Sequence, residues 1–89
     1  MTQLLVKHAV RDFNLWKTVY DSLADLRDQH GFVSSRILRD ADNPNQVVVI
    51  EEYRTLEGAK NFAQSTALRV AMGHGGVIST PDITFLESV

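Results

Sequence analysis

Cysteine is absent from the 89 residues, which excludes disulfides, thiolate nucleophiles and zinc sites built on sulfur. Proline occurs only twice and glycine five times, and no linker, internal repeat or low-complexity segment interrupts the chain. No long apolar run exists either. The longest, Val47–Ile50, is far short of the ~20 residues of a membrane span, and the opening "MTQLLVKH" lacks the apolar core of a signal peptide. The expected setting is therefore the cytoplasm. An excess of one charge is missing as well: nine Lys and Arg stand against eleven Asp and Glu, for a net charge of −2. With no run of like charges, the sequence argues against nucleic acid or a membrane surface as partner.

What is present fits one domain spanning residues 1–89. "QLLVKHAV", Gln3 to Val10, reads as a first strand, with Leu4, Val6, His8 and Val10 on one face and Leu5, Lys7 and Ala9 on the other. Asp12 or Asn14 caps a helix in which Trp16, Val19, Tyr20, Leu23 and Leu26 recur at helical spacing. Gly31 ends that helix in the left-handed conformation. "FVSSRILR", Phe32 to Arg39, is a second strand. The turn chemistry of "DADNPNQ" joins it to a third, "QVVVIEEY", as a hairpin. Thr55 caps a second helix with Ala59, Phe62 and Ala63 inward, and Ser65 caps again where that stripe slips out of phase, predicting a break. "GHGG", Gly73 to Gly76, is a C-cap and flexible connector leading to a last strand, "ITFLESV".

The order β-α-β-β-α-β is the ferredoxin-like α+β pattern, a four-stranded antiparallel sheet with two helices on one face. Four strands make a sheet about 19 Å wide, which two helices of roughly 10 Å diameter cover once. Val47–Ile50 is nevertheless apolar on both faces. The uncovered face is expected to hold Leu4, Val6, His8, Phe32, Arg36, Val47, Val49, Tyr53 and Phe85, and to be hidden against a second copy of the chain. Polar groups among that apolar bulk suggest a pocket; the alternative is a dry interface.

"VKHAVRDFNLWK", "VVVIEEYRTLEGAKNFAQS" and "LRVAM…GGV" together resemble the antibiotic biosynthesis monooxygenase family, over nearly the whole chain. The resemblance implies a homodimeric α/β barrel with a cavity between helix layer and sheet, or between the sheets. It also implies a small apolar or aromatic ligand and, where the fold is catalytic, oxygenation without a cofactor. The candidate catalytic residues are His8 as base, with Tyr53 and Arg36 as hydrogen-bond donors. Trp16, Phe32, Val49, Phe62, Met72 and His74 are the candidate substrate contacts, although Trp16 and Phe62 also occupy helical core positions. A non-catalytic binding or assembly module is the competing reading.

Adjacent Glu51 and Glu52 point to opposite faces of a strand and cannot form a dyad; one is expected to pair with Arg36 or Arg39 across the hairpin. His8, His30 and His74 lack metal-ligand spacing, so no metal site is expected.

Overall fold

A computed structural model describes residues Met1–Val89. The first strand, β1, runs Thr2–Ala9. Asp12 then caps α1 (Phe13–Ser22), its side chain accepting from the Asn14 N–H. The first helical stretch is not continuous. It turns at Leu23, whose N–H bonds the carbonyl of Tyr20, and resumes as α2 (Ala24–Asp28). Gly31, at φ +83°, takes the left-handed conformation expected of it. The hairpin follows: β2 (Phe32–Arg39) and β3 (Gln46–Tyr53). In its loop Asp40 accepts from the N–H groups of Asp42 (2.8 Å) and Asn43 (3.0 Å), the local bonding that makes Asp a turn residue.

The predicted break in the second helix is present. Thr55 caps α3 (Leu56–Ala63) through Gly58 N–H, and Ser65 caps α4 (Thr66–His74) through Leu68 N–H. Gly76, at φ +75°, turns the chain toward β4 (Asp82–Glu87), with a bridge between Val10 and Val77 on the way. The strands pair in the order β2-β3-β1-β4, all antiparallel. This is the ferredoxin-like α+β fold, with the helices on one face of the sheet.

The two faces of that sheet are the reverse of the sequence expectation. Leu4, Val6, His8, Val47, Val49 and Tyr53 are buried in the core beneath the helices, with Trp16, Ala59, Phe62 and Leu68 above them. Phe32 and Phe85 share their parity through the pairs Phe32↔Tyr53 and Leu4↔Phe85. The open face instead carries Gln3, Leu5 and Lys7 of β1, Val48, Ile50 and Glu52 of β3, and Leu38 with Arg36 of β2. Of the residues assigned to the open face, only Arg36 lies there. The cause is physical: the tethered helices take the more apolar parity of β1, and the parity holding Lys7 is left outside.

Candidate active site

Between the helices and the sheet lies a cavity of about 40 Å³, room for on the order of three waters. Thirteen residues line it, and ten of them are hydrophobic. β1 contributes Val6 and His8, and β3 contributes Val49 and Glu51. Trp16, Val19, Tyr20 and Leu23 reach in from α1 and its end. Arg27 of α2, Phe62 of α3, and Leu68, Ala71 and Met72 of α4 complete the wall. Strand alternation places His8 and Glu51 on the inner face, and three- and four-residue helical spacing turns Trp16, Val19, Tyr20 and Leu23 toward them.

His8 is only 3% exposed, and neither ring nitrogen has a hydrogen-bond partner in the chain. Its ring meets Trp16 edge-on at 5.7 Å between centroids, and Trp16 stacks on Tyr20 at 5.1 Å. Burial disfavours the imidazolium and pushes the His8 pKa below the ordinary histidine value. At neutral pH the ring is therefore neutral and offers one acceptor nitrogen and one N–H.

A second polar cluster centres on Glu51, 2% exposed. Tyr20 donates to its Oε2 at 2.7 Å and Tyr53 to its Oε1 at 3.1 Å. Arg27, itself 5% exposed, brings its Nε to 3.9 Å from Oε2, an ion pair by distance but longer than a hydrogen bond. Its Nη1 donates to the Tyr20 carbonyl at 2.8 Å, and its guanidinium lies 4.0 Å from the centre of the Tyr20 ring. Burial raises the Glu51 pKa, with the two phenols and Arg27 opposing that rise. Burial, reinforced by the neighbouring carboxylate, pushes both phenols far above their ordinary value. They are permanent donors here, not acids.

The structure brings His8, Trp16, Val49, Phe62 and Met72 together around one cavity. It sets the other sequence candidates apart. Tyr53 lies in the layer beneath, engaged with Glu51 and packed between Phe32 and Phe62. Phe32 touches the site only through Tyr53 and Arg27. His74 ends α4 at the surface. Arg36 pairs with Ile50 on the opposite face of the sheet, beside a polar depression of about 200 Å³ formed with Gln3, Ser34, Ser35 and Glu52. A one-residue irregularity between Phe32 and Ser34 sets the parity of the rest of β2, so Arg36 does not meet His8. Neither Glu51 nor Glu52 pairs with Arg36 or Arg39: the cation of Glu51 is Arg27, and Glu52 makes no ion pair. Arg27 is the residue that sequence reading missed, and Tyr20 was read only as part of the inward stripe. The signal for Arg27 was its place one position after the apolar Leu26, which reads as solvated until the turn at Leu23 redirects it.

The model of the family described as antibiotic biosynthesis monooxygenase matches residues 14–73. No curated protein matches the chain. Among solved structures, it is similar to SnoaB, a cofactor-independent oxygenase from Streptomyces nogalater. The identity is 16% over 99% of this chain and 92% of that one, with a TM-score of 0.79. A structure described as an antibiotic biosynthesis monooxygenase matches at 12% identity over 100% and 99% of the two chains, with a TM-score of 0.74. A conserved protein from Methanosarcina mazei Go1 also matches at 12% identity, over 99% and 92%, with a TM-score of 0.76. At these identities the solved structures speak for the fold. The family match spans two thirds of the sequence, and the chain belongs to the antibiotic biosynthesis monooxygenase family.

Proposed function

We propose that the cavity is the site of a cofactor-independent monooxygenase acting on a small phenol, quinol or polyketide-like aromatic. The observation that carries this reading is His8, a buried neutral imidazole in the lining of an apolar cavity whose two nitrogens have no hydrogen-bond partner in the chain. Such a group is a general base without a competing partner. For a quinol the balance closes without further reagents. His8 removes a hydroxyl proton, and the electron-rich anion reduces O₂. One oxygen atom then enters the ring to give a hydroxyquinone, and the other leaves as water with the two hydrogens lost by the substrate. The chain supplies the base, the orientation and the exclusion of water.

Energetics select the substrate. An ordinary phenol near pKa 10 against a histidine near 6.5 leaves about 5 kcal/mol to find, and burial of His8 widens that gap. Acidic hydroxyls on electron-poor rings are favoured.

The reading includes a homodimer paired through the open sheet face. Strands of eight residues make that face about 27 Å long and 19 Å wide, roughly 500 Å² in projection and more as accessible surface. The standard interface buries about 800 Å² per partner. Leu38 and Leu86, both exposed, join Leu5, Val48 and Ile50 to supply its apolar centre.

Oxygen uptake with reduced menadione and a panel of naphthols tests the proposal. We expect uptake above the autoxidation baseline that His8→Ala abolishes; uptake unchanged in His8→Ala sinks the assignment. A second reading, a non-catalytic binding module, draws on the cavity's small volume, and silence across the panel would favour it.

A further inference from the structure

The cavity beside His8 is closed. Its volume is about 40 Å³, whereas an apolar cavity that takes up benzene measures about 150 Å³. Both ring nitrogens of His8 are sealed from solvent. A wall must therefore yield before an aromatic ring reaches the imidazole.

The walls differ in how they are held. β1 and β3 are the central strands of the sheet, each paired on both sides. α1 is fastened to β3 by the Tyr20–Glu51 hydrogen bond and to β1 by Trp16, packed edge-on to His8. α3 buries Ala59 completely and sets Phe62 against Tyr53 and His30. α4 has no such fastening. Its only side-chain hydrogen bond is its own cap at Ser65, it makes no ion pair, and Leu68 is its one buried residue. Ala71 and Met72 line the cavity half-buried, and Val70 is exposed. Segments with so few buried apolar contacts open at free energies well below that of global unfolding.

Both ends of α4 suit movement. At one end it is broken from α3 at Gln64–Ser65. At the other, three of the four residues Gly73–Gly76 are glycine, the residue with the most backbone freedom. At Gly76 the chain is fixed again: the Arg11 N–H bonds the Gly76 carbonyl, and the Ile78 N–H bonds that of Ala9. Gly75 lies directly over the site, since a Cβ there would stand 3.5 Å from Trp16 Cδ1 and 3.6 Å from Val19 Cβ. Unwinding Ala71–Gly75 lengthens that stretch by roughly 9 Å, the difference between helical and extended rise over five residues. Such slack is enough to lift Met72 and the glycines off Trp16.

We propose that the last turn and cap of α4, Ala71–Gly75, form a lid that peels from Trp16 and Val19 and opens the cavity to His8. Its bearing on turnover rests on the reading of His8 as base; the movement itself does not. Closed, the lid keeps water from the imidazole, and opening sets the rate at which ligand enters and leaves.

The test labels His8 in protein without ligand. Diethylpyrocarbonate carbethoxylates neutral imidazole, and peptide mass spectrometry reads His8 against the exposed His74. The chain has no cysteine of its own, and the 3.6 Å Cβ separation lies within the disulfide range of about 3.5–4.5 Å. Val19→Cys/Gly75→Cys therefore fastens the lid when oxidised and frees it when reduced. We expect oxidation to slow His8 labelling about tenfold or more with His74 unchanged, and reduction to restore it. In the unaltered protein, His8 labelling should change little below about 1 M urea, because lid opening exposes little surface. The amides of Ala71–Gly75 should exchange about ten- to a hundredfold faster than those of α1. Equal His8 labelling in the oxidised and reduced forms overturns the lid. So does labelling of the unaltered protein that climbs with urea as steeply as global unfolding, or a last turn of α4 as protected as α1. Labelling lost on oxidation, with no oxygen uptake from quinols in any form, upholds the lid and overturns the oxygenase reading alone.

Discussion

Replacing Arg27 with Met would strand the Glu51 carboxylate. That group is buried under α1 and α2, and its nearest cation is the Arg27 guanidinium at 3.9 Å. Two phenolic donors would remain, but no positive charge. Breaking a buried pair from one side costs about 3–5 kcal/mol, and the lost stacking on Tyr20 adds about 0.5–2. At about 0.05–0.15 kcal/mol per residue, an 89-residue chain holds roughly 4–13 kcal/mol in all, so the loss is a large share. It also depends on pH. Burial already raises the folded Glu51 pKa above 4.5, and without Arg27 it rises further. A carboxyl whose folded pKa exceeds its unfolded one binds more protons when folded, so stability falls as pH increases between those two values, by up to about 1.4 kcal/mol per unit. Urea unfolding followed by Trp16 fluorescence should therefore give Arg27→Met a midpoint well below the parent at about pH 8 that partly recovers at about pH 5. Arg27→Met/Glu51→Gln should lack this recovery. A single variant within about 0.5 kcal/mol of the parent, or one with the parent's pH slope, would refute the reasoning.

Four further outcomes are expected. His8→Leu removes an unpartnered buried imidazole, so its urea midpoint should equal or exceed the parent's while quinol-dependent oxygen uptake falls about 10²–10⁴-fold; a clear loss of stability would show that the ring is bonded in solution. A Cβ at Gly58 would run into the His30 carbonyl oxygen, so Gly58→Ala should cost about 1–3 kcal/mol, against a near-neutral Gly73→Ala, where the added carbon meets nothing within 4 Å. Ser65→Ala removes the cap of α4 and should cost about 1 kcal/mol by urea titration, leaving Thr55→Ala as its counterpart at α3. Ile50→Glu on the open face should convert a dimer to monomers in sedimentation with the helices intact by circular dichroism; a parent that already sediments as a 10.0 kDa particle would remove the dimer from the account.

Local chemistry made most of the fold legible. Asp12, Thr55 and Ser65 cap as their side chains dictate, Gly31 turns where a positive φ is needed, and the Asp-Asn-Pro loop closes its hairpin. The faces of the sheet were harder to read. Four consecutive β-branched residues in β3 carry no parity signal, and in β2 the irregularity after Phe32 breaks any parity counted from its start. The deciding residue was Lys7. It marks the outer parity of β1, and strand pairing then carries the assignment across the sheet. The site was legible in part: His8 stood out as a polar residue in an apolar strand, and it lies in the cavity. Arg27 did not stand out, because its role depends on a helix that stops at Leu23 and starts again in a new direction, and Tyr20 stood out only as a member of the inward stripe. No local pattern encodes that meeting with Glu51 of β3.

The account rests on an unpartnered imidazole lining an apolar cavity and acting as the base for direct reaction with oxygen. Single-turnover oxidation of a quinol under isotopically heavy dioxygen, in protein treated with chelator and stripped of flavin, tests this most directly. The account predicts one heavy atom in the product and the other in water, with product formation lost in His8→Ala. Product oxygen drawn from solvent, or equal yield from His8→Ala, would contradict it.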